Sequence, residues 1–315
     1  MSGLSGSADS LPPRLETLRS QLVANIPALP GSQLALASLN MPQTMLAYVN
    51  WASRFIKPGR RSVSYVPAFW KSQAAMERGG DVLALEAAVK AGSNLTPYLS
   101  GRVLSDGYQS AAEDSQGKSP KWADKDFALN AYGIHHLHFV PASGKSRGAE
   151  QGKHGHLLYA EFGRHHATFL MVGDHKSFDD GTLHDAVIEA RASSDAWELQ
   201  DIRPSRNLED HRDQFRLARR GFATTAVKNG RVIVGANLST AGTSPRHTRH
   251  AGHILRALSA VDPELDKESY WREMYASIGR PLPTVRDFEW SMQYTELSVI
   301  ERRSQTKLII VGGLT

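Results

Sequence analysis

The chain has 315 residues, of which 41% are apolar, 22% are charged and none is cysteine. That length supports one large domain or two ordinary ones around a substantial core. The lack of cysteine excludes disulfides, thiolate nucleophiles and cysteine-based zinc sites. A formal charge of +5 is a mildly basic balance, compatible with a polyanionic partner or with nothing more than a charged surface. No run approaches the roughly 18 apolar residues of a spanning helix, and residues 1–7 lack a basic segment followed by an apolar one. The expectation is a cytoplasmic protein with no membrane partner.

Residues 1–13 are small and polar and read as a disordered tail. Leu15, Leu18 and Leu22 predict a short amphipathic helix over 13–25, stopped near Pro27 and Pro30, and residues 43–55 predict a second. A basic turn over 56–61 leads to a short strand over 63–66. Asp81 is placed to cap a helix carrying Val82, Leu83, Leu85 and Val89, with Gly92 where a left-handed terminator belongs. The Ser, Gly, Asp and Lys-rich stretch that ends this region predicts an exposed linker at 111–125.

A β unit is expected over about 126–178, then a helix over 180–192, a strand over 197–202 and a charged helix over 208–220. Two β-prone runs flank Asn229-Gly230, and that dipeptide tolerates the positive φ of a type I′ turn, so a hairpin is predicted there. Residues 262–278 predict a helix. Three short runs, 288–294, 297–301 and 307–311, predict an antiparallel meander. The class is α+β: a mainly helical region over 14–110, a central His-rich domain over 126–262, and a helix plus β meander over 263–315.

Nine of the 13 histidines fall between residues 135 and 184. Histidine is the side chain whose unperturbed pKa, about 6.5, lies closest to neutral pH, so this density marks the place to look for chemistry. Strand alternation puts Ile134, His136 and His138 on one face and His135, Leu137 and Phe139 on the other. His156 is expected to join His136 and His138 across the ladder, while His154, His165 and His184 read as peripheral. Two histidines on one strand face and a third across the ladder make a three-ligand metal site, so His136, His138 and His156 are the metal candidates. His166-Ala167-Thr168-Phe169 also fits one half-site of a two-histidine phosphoesterase, although His136-Leu137-His138-Phe139 has histidine where the second hydroxyl belongs.

A third chemistry needs no metal. Cleaving RNA through its own 2′-OH requires a base, an acid and cations around the phosphate. Over residues 126–178 the order of elements resembles the β core of RelE/ParE/HigB-type toxins. The pieces are Gly133-Ile134-His135-His136-Leu137-His138, His156-Leu157-Leu158-Tyr159-Ala160 and Phe169-Leu170-Met171-Val172-Gly173-Asp174-His175-Lys176. Histidine stands where that family usually has arginine, and an insert over 141–153 lengthens the first hairpin. The resemblance implies an endoribonuclease or ribosome-associated toxin, with an antitoxin or other protein partner. In it His138 and His156 do acid/base work, Arg164, His175 and Lys176 stabilise charge, and His136 completes the catalytic set.

The second signal is a basic helix over 245–258. Ser244 is placed to cap it and Pro245 suits its first turn. Arg246, Arg249, His250, His253 and Arg256 fall within one arc, and Ala251, Ile254, Leu255 and Leu258 occupy another. These basic residues are the nucleic-acid-binding candidates, with contact to the phosphate backbone rather than base stacking. The leading expectation is therefore a cofactor-free, toxin-like ribonuclease acting on RNA. The alternatives are a non-enzymatic nucleic-acid or protein-binding chain, and a metal-dependent hydrolase or phosphoesterase using the histidines.

Overall fold

Pro13 opens α1 (Pro13–Asn25), which buries Leu18 and Leu22. The computed structural model describes residues 11–110, 126–141, 155–202, 214, 216–218, 220–239, 242–285 and 287–315. After α2 (Gln33–Ala37) comes α3 (Met41–Ala52). Asn40 and Gln43 satisfy each other's backbone N–H groups in a capping box at its start. Then follow β1 (Ser62–Tyr65), α4 (Gln73–Glu77), α5 (Gly79–Ala91) and α6 (Arg102–Ser105). Helix α5 begins two residues before the expected cap; Asp81 lies in its first turn and pairs with Arg78 at 3.0 Å. Gly92 ends it at φ 77, where a Cβ would stand 2.7 Å from the Arg60 backbone nitrogen.

The central unit is α7 (Phe127–Tyr132), β2 (Ile134–His138), β3 (Leu157–Phe162), β4 (His166–Gly173) and α8 (Thr182–Ala192). The three strands expected from the sequence pair antiparallel in order. A fourth, β1, adds parallel to β4, giving the order β1-β4-β3-β2. The hairpin is β5 (Thr225–Lys228) and β6 (Arg231–Val234), with Asn229 at φ 53 and Gly230 at φ 75. Next come α9 (Pro245–Val261), α10 (Glu268–Ser277) and the meander β7 (Phe288–Gln293), β8 (Glu296–Glu301) and β9 (Thr306–Val311).

Two hydrophobic clusters hold these pieces. One lies on the sheet β1-β4-β3-β2, with Tyr159, Phe162 and Phe169 fully buried beside residues of α5, α7 and α8. The other joins α1 and α3 to α9, α10 and the meander, around Met45, Trp271 and Trp290. It unites segments that the sequence assigns to three regions. The basic helix α9 therefore packs its apolar side against the N-terminal helices and the meander.

Two local expectations fail. Residues 197–202 form no strand: a short 3-10 turn (Asp195–Trp197) is followed by a single bridge from Glu198 to Ile233. The 262–278 helix is split, because Lys267 adopts an extended conformation between a 3-10 turn (Asp262–Asp266) and α10. The charged helix at 208–220, the linker at 111–125 and the tail up to residue 10 lie wholly or largely outside the described residues. No helix among the described residues is long and apolar enough to cross a membrane.

Candidate metal centre

Strand register decides which histidines meet. His136 stands opposite Tyr159 and His138 opposite Leu157, while β4 sets Met171 opposite Tyr159 and Gly173 opposite Leu157. Directly paired residues share a face, so His136 and His138 project on the side carrying Leu157 and Tyr159. His156 immediately precedes Leu157 and falls out of step with that face.

The third histidine comes from the end of β4. Asp174 accepts from the backbone nitrogens of Lys176 and Ser177 at 2.8 and 3.2 Å, starting the 3-10 turn His175–Phe178. The turn folds tightly onto the strand, since a Cβ on Gly173 would meet the Ser177 Oγ at 2.5 Å. It lays His175 beside the β2 pair, with ring centroids 6.2 Å from His136 and 6.0 Å from His138. One nitrogen from each of His136, His138 and His175 lies within 4.8 Å of the others, the grouping of this kind found among the described residues.

The surroundings constrain these rings. Asp126 caps α7 by accepting from the Leu129 backbone nitrogen at 3.1 Å with one oxygen. Its other oxygen is 3.4 Å from the His136 Nδ1, at ion-pair range without a formed hydrogen bond. Phe178 stands edge-on to both His136 and Tyr159. The Tyr159 hydroxyl donates to the Asp174 carbonyl at 2.7 Å, and burial pushes its pKa up. His138 is buried, His136 half-buried and His175 exposed. Partial burial, and then the positive charge of a protonated His136, pull the His175 pKa down, favouring the neutral ligand form.

The other expected site residues lie elsewhere. Arg164 sits in the β3–β4 turn, at the opposite end of β3 from His138 and His175, about 17 Å along a six-residue strand. Lys176 is exposed beside His175. His156 is half-buried, with its Nδ1 lacking a hydrogen-bond partner, and the metal set expected from the sequence is corrected by its exchange for His175. His135 projects to the other face, donates from Nε2 to the Ser53 carbonyl at 3.0 Å and is held by burial at a pKa of about 4. His166 is clasped between the hydroxyls of Ser62 and Ser64, both at 2.8 Å. His184 is buried against the Tyr132 hydroxyl at 3.0 Å rather than peripheral, His165 is exposed, and His154 lies outside the described residues.

Asp126 is the residue missed in the sequence. Its signal was an acidic N-cap three residues before Leu129, but proximity to His136 depends on how α7 folds back on β2.

On α9, Arg246, Arg249, His253 and Arg256 are exposed, and His250 is half-buried, donating from Nε2 to the Thr295 carbonyl at 2.7 Å. Ala251, Ile254 and Leu258 are buried on the other side, together with His247, which the sequence did not single out. Comparison with protein-family models, with curated proteins and with solved structures finds no match.

Proposed function

We propose that the protein is a metal-dependent hydrolase in which His136, His138 and His175 hold one divalent transition-metal ion. The convergence of three imidazoles within 4.8 Å carries this reading. Tetrahedral coordination at about 2.1 Å places ligand nitrogens about 3.4 Å apart, so modest rotation of the exposed His175 ring closes the set. An all-imidazole donor set suits Zn²⁺ and its neighbours in the first transition row. Three protein ligands leave a position for water. An ion held there would act as a Lewis acid, lowering the pKa of water at its open position and polarising the bond to be cleaved.

The chain's own groups have distinct tasks. Asp126, 3.4 Å from the His136 Nδ1, is placed to orient that ring from behind by closing to a hydrogen bond, which would leave Nε2 for the ion. Tyr159 and Phe178 wall the site on its sheet side. Lys176, exposed next to His175, offers a positive charge to an anionic ester such as a phosphodiester. The metal-independent reading needed Arg164 beside His138 and His175, and its seat at the far end of β3 favours the metal-dependent one.

The test is hydrolysis of bis-p-nitrophenyl phosphate by tag-free protein loaded with zinc, manganese or cobalt. Turnover that EDTA abolishes, and that His138→Ala lacks, is the expected result. Equal turnover in EDTA, or in His138→Ala, would refute the assignment.

A further inference from the structure

Several arginines of the described residues are held by partners within the chain. Arg14, Arg19, Arg78, Arg231, Arg272 and Arg302 each pair with a carboxylate, and Arg61 and Arg191 donate to backbone carbonyls in the interior. Helix α9 differs. Its 17 residues contain no Asp or Glu, and among the described residues Arg246, Arg249 and Arg256 form no ion pair. Arg246, Arg249, His253 and Arg256 follow spacings of three, four and three residues, so they line one side of the helix over about 15 Å. All four are exposed.

The stripe extends past the helix start. Arg246 donates to the Leu314 carbonyl at 2.9 Å, and the Arg164 guanidinium packs against Gly312, two residues away on the same segment. Arg164, which also forms no ion pair among the described residues, thus falls at the N-terminal end of the row. Cations at a helix N-terminus oppose the helix dipole, so the arrangement costs stability unless an anion lies against it.

We propose that Arg164, Arg246, Arg249, His253 and Arg256 bind the phosphodiester backbone of a nucleic acid. Arginine forks match phosphate oxygens in pairs, and a row of evenly spaced N–H donors, three of them guanidinium groups, matches a regularly charged strand. No aromatic residue interrupts the row, so contact is to the backbone and not by base stacking. A membrane surface fits less well, because the apolar side of α9 is buried in the protein and is not free to enter lipid. The surface shares no residue with the histidine centre, so it stands independently of the hydrolase reading.

The experiment is fluorescence anisotropy of tag-free full-length protein with labelled single-stranded RNA, and with DNA of the same sequence, in EDTA to suppress any metal-dependent cleavage. Arg249→Gln/Arg256→Gln is compared with Arg272→Gln/Arg302→Gln, which removes the same charge elsewhere. Binding at about 50 mM salt that weakens tenfold or more in the first variant is expected. The slope of log K against log salt should also flatten by about 1.4, the share of two single-strand phosphate contacts. Preference between RNA and DNA identifies the natural strand. Three results would overturn the proposal: no binding by the wild type, equal losses in both variants, or binding to phosphatidylserine vesicles without binding to nucleic acid. Matching melting temperatures, expected because Arg249 and Arg256 make no hydrogen bond among the described residues, certify the fold.

Discussion

Replacing His247 with leucine should remove a defined part of the protein's acid sensitivity. His247 is 3% exposed and its Nδ1 has no hydrogen-bond partner. Burial first, and then the charges of Arg246, His135, His250 and Arg54, hold its pKa at about 3, well below the ordinary 6.5 of the free side chain. The neutral ring is the folded form, so the unfolded chain binds the extra proton between these values, and stability falls as pH drops through that window. Between about pH 7.5 and pH 5 the loss assigned to this ring is about 2 kcal/mol, from the standard linkage relation. Thermal melts of wild type and His247→Leu at the two pH values measure it. Relative to the wild type, the variant should gain about 2 kcal/mol on acidification, with His247→Gln as a second variant should leucine pack badly. An identical pH dependence in wild type and variants would show that His247 does not set this acid sensitivity.

Other consequences are as specific. Gly92→Ala and Gly230→Ala both force alanine into a left-handed conformation, at about 1 kcal/mol. At Gly92 the new Cβ also meets the Arg60 backbone at 2.7 Å, whereas nothing lies within 4 Å at Gly230, so chemical denaturation should show Gly92→Ala the more destabilised. Trp290→Phe strips the buried 2.8 Å hydrogen bond to Asp262 and should cost about 1–3 kcal/mol by the same assay. Asp126→Ala should weaken metal affinity about 10–100-fold while leaving His138 and His175 in place, read by competition with a chromogenic chelator.

Local signals in the sequence reached the elements whose cause is local. Asn229-Gly230 dictated its hairpin, Ser244-Pro245 started α9, and alternation put His135 and His136 on opposite faces. What escaped depends on distant contacts. β1 joins the sheet parallel to β4 across about 100 residues, which no short-range pattern encodes. The strand expected at 197–202 shrinks to one bridge between Glu198 and Ile233, beside which the Leu199 N–H donates to the Val232 carbonyl. At the site, His136 and His138 were legible as a pair from their i, i+2 spacing. The third member was not, because a one-residue difference in register decides whether His156 shares their face. The turn that delivers His175 depends on Asp174 capping and on Gly173 lacking a side chain, features visible only once the strand ends are fixed. Arg164 lies two residues from the end of β3 in sequence, yet at the wrong end of the sheet for the chemistry first assigned to it.

Whether His136, His138 and His175 act together as one metal centre is answered by zinc stoichiometry. Tag-free protein is stripped with chelator, incubated with zinc, passed over a desalting column and analysed for metal. About one zinc per chain is expected, retained by His156→Ala and lost from His136→Ala, His138→Ala and His175→Ala. A wild type that retains no zinc, or a His138→Ala variant that retains as much as the wild type, would contradict it.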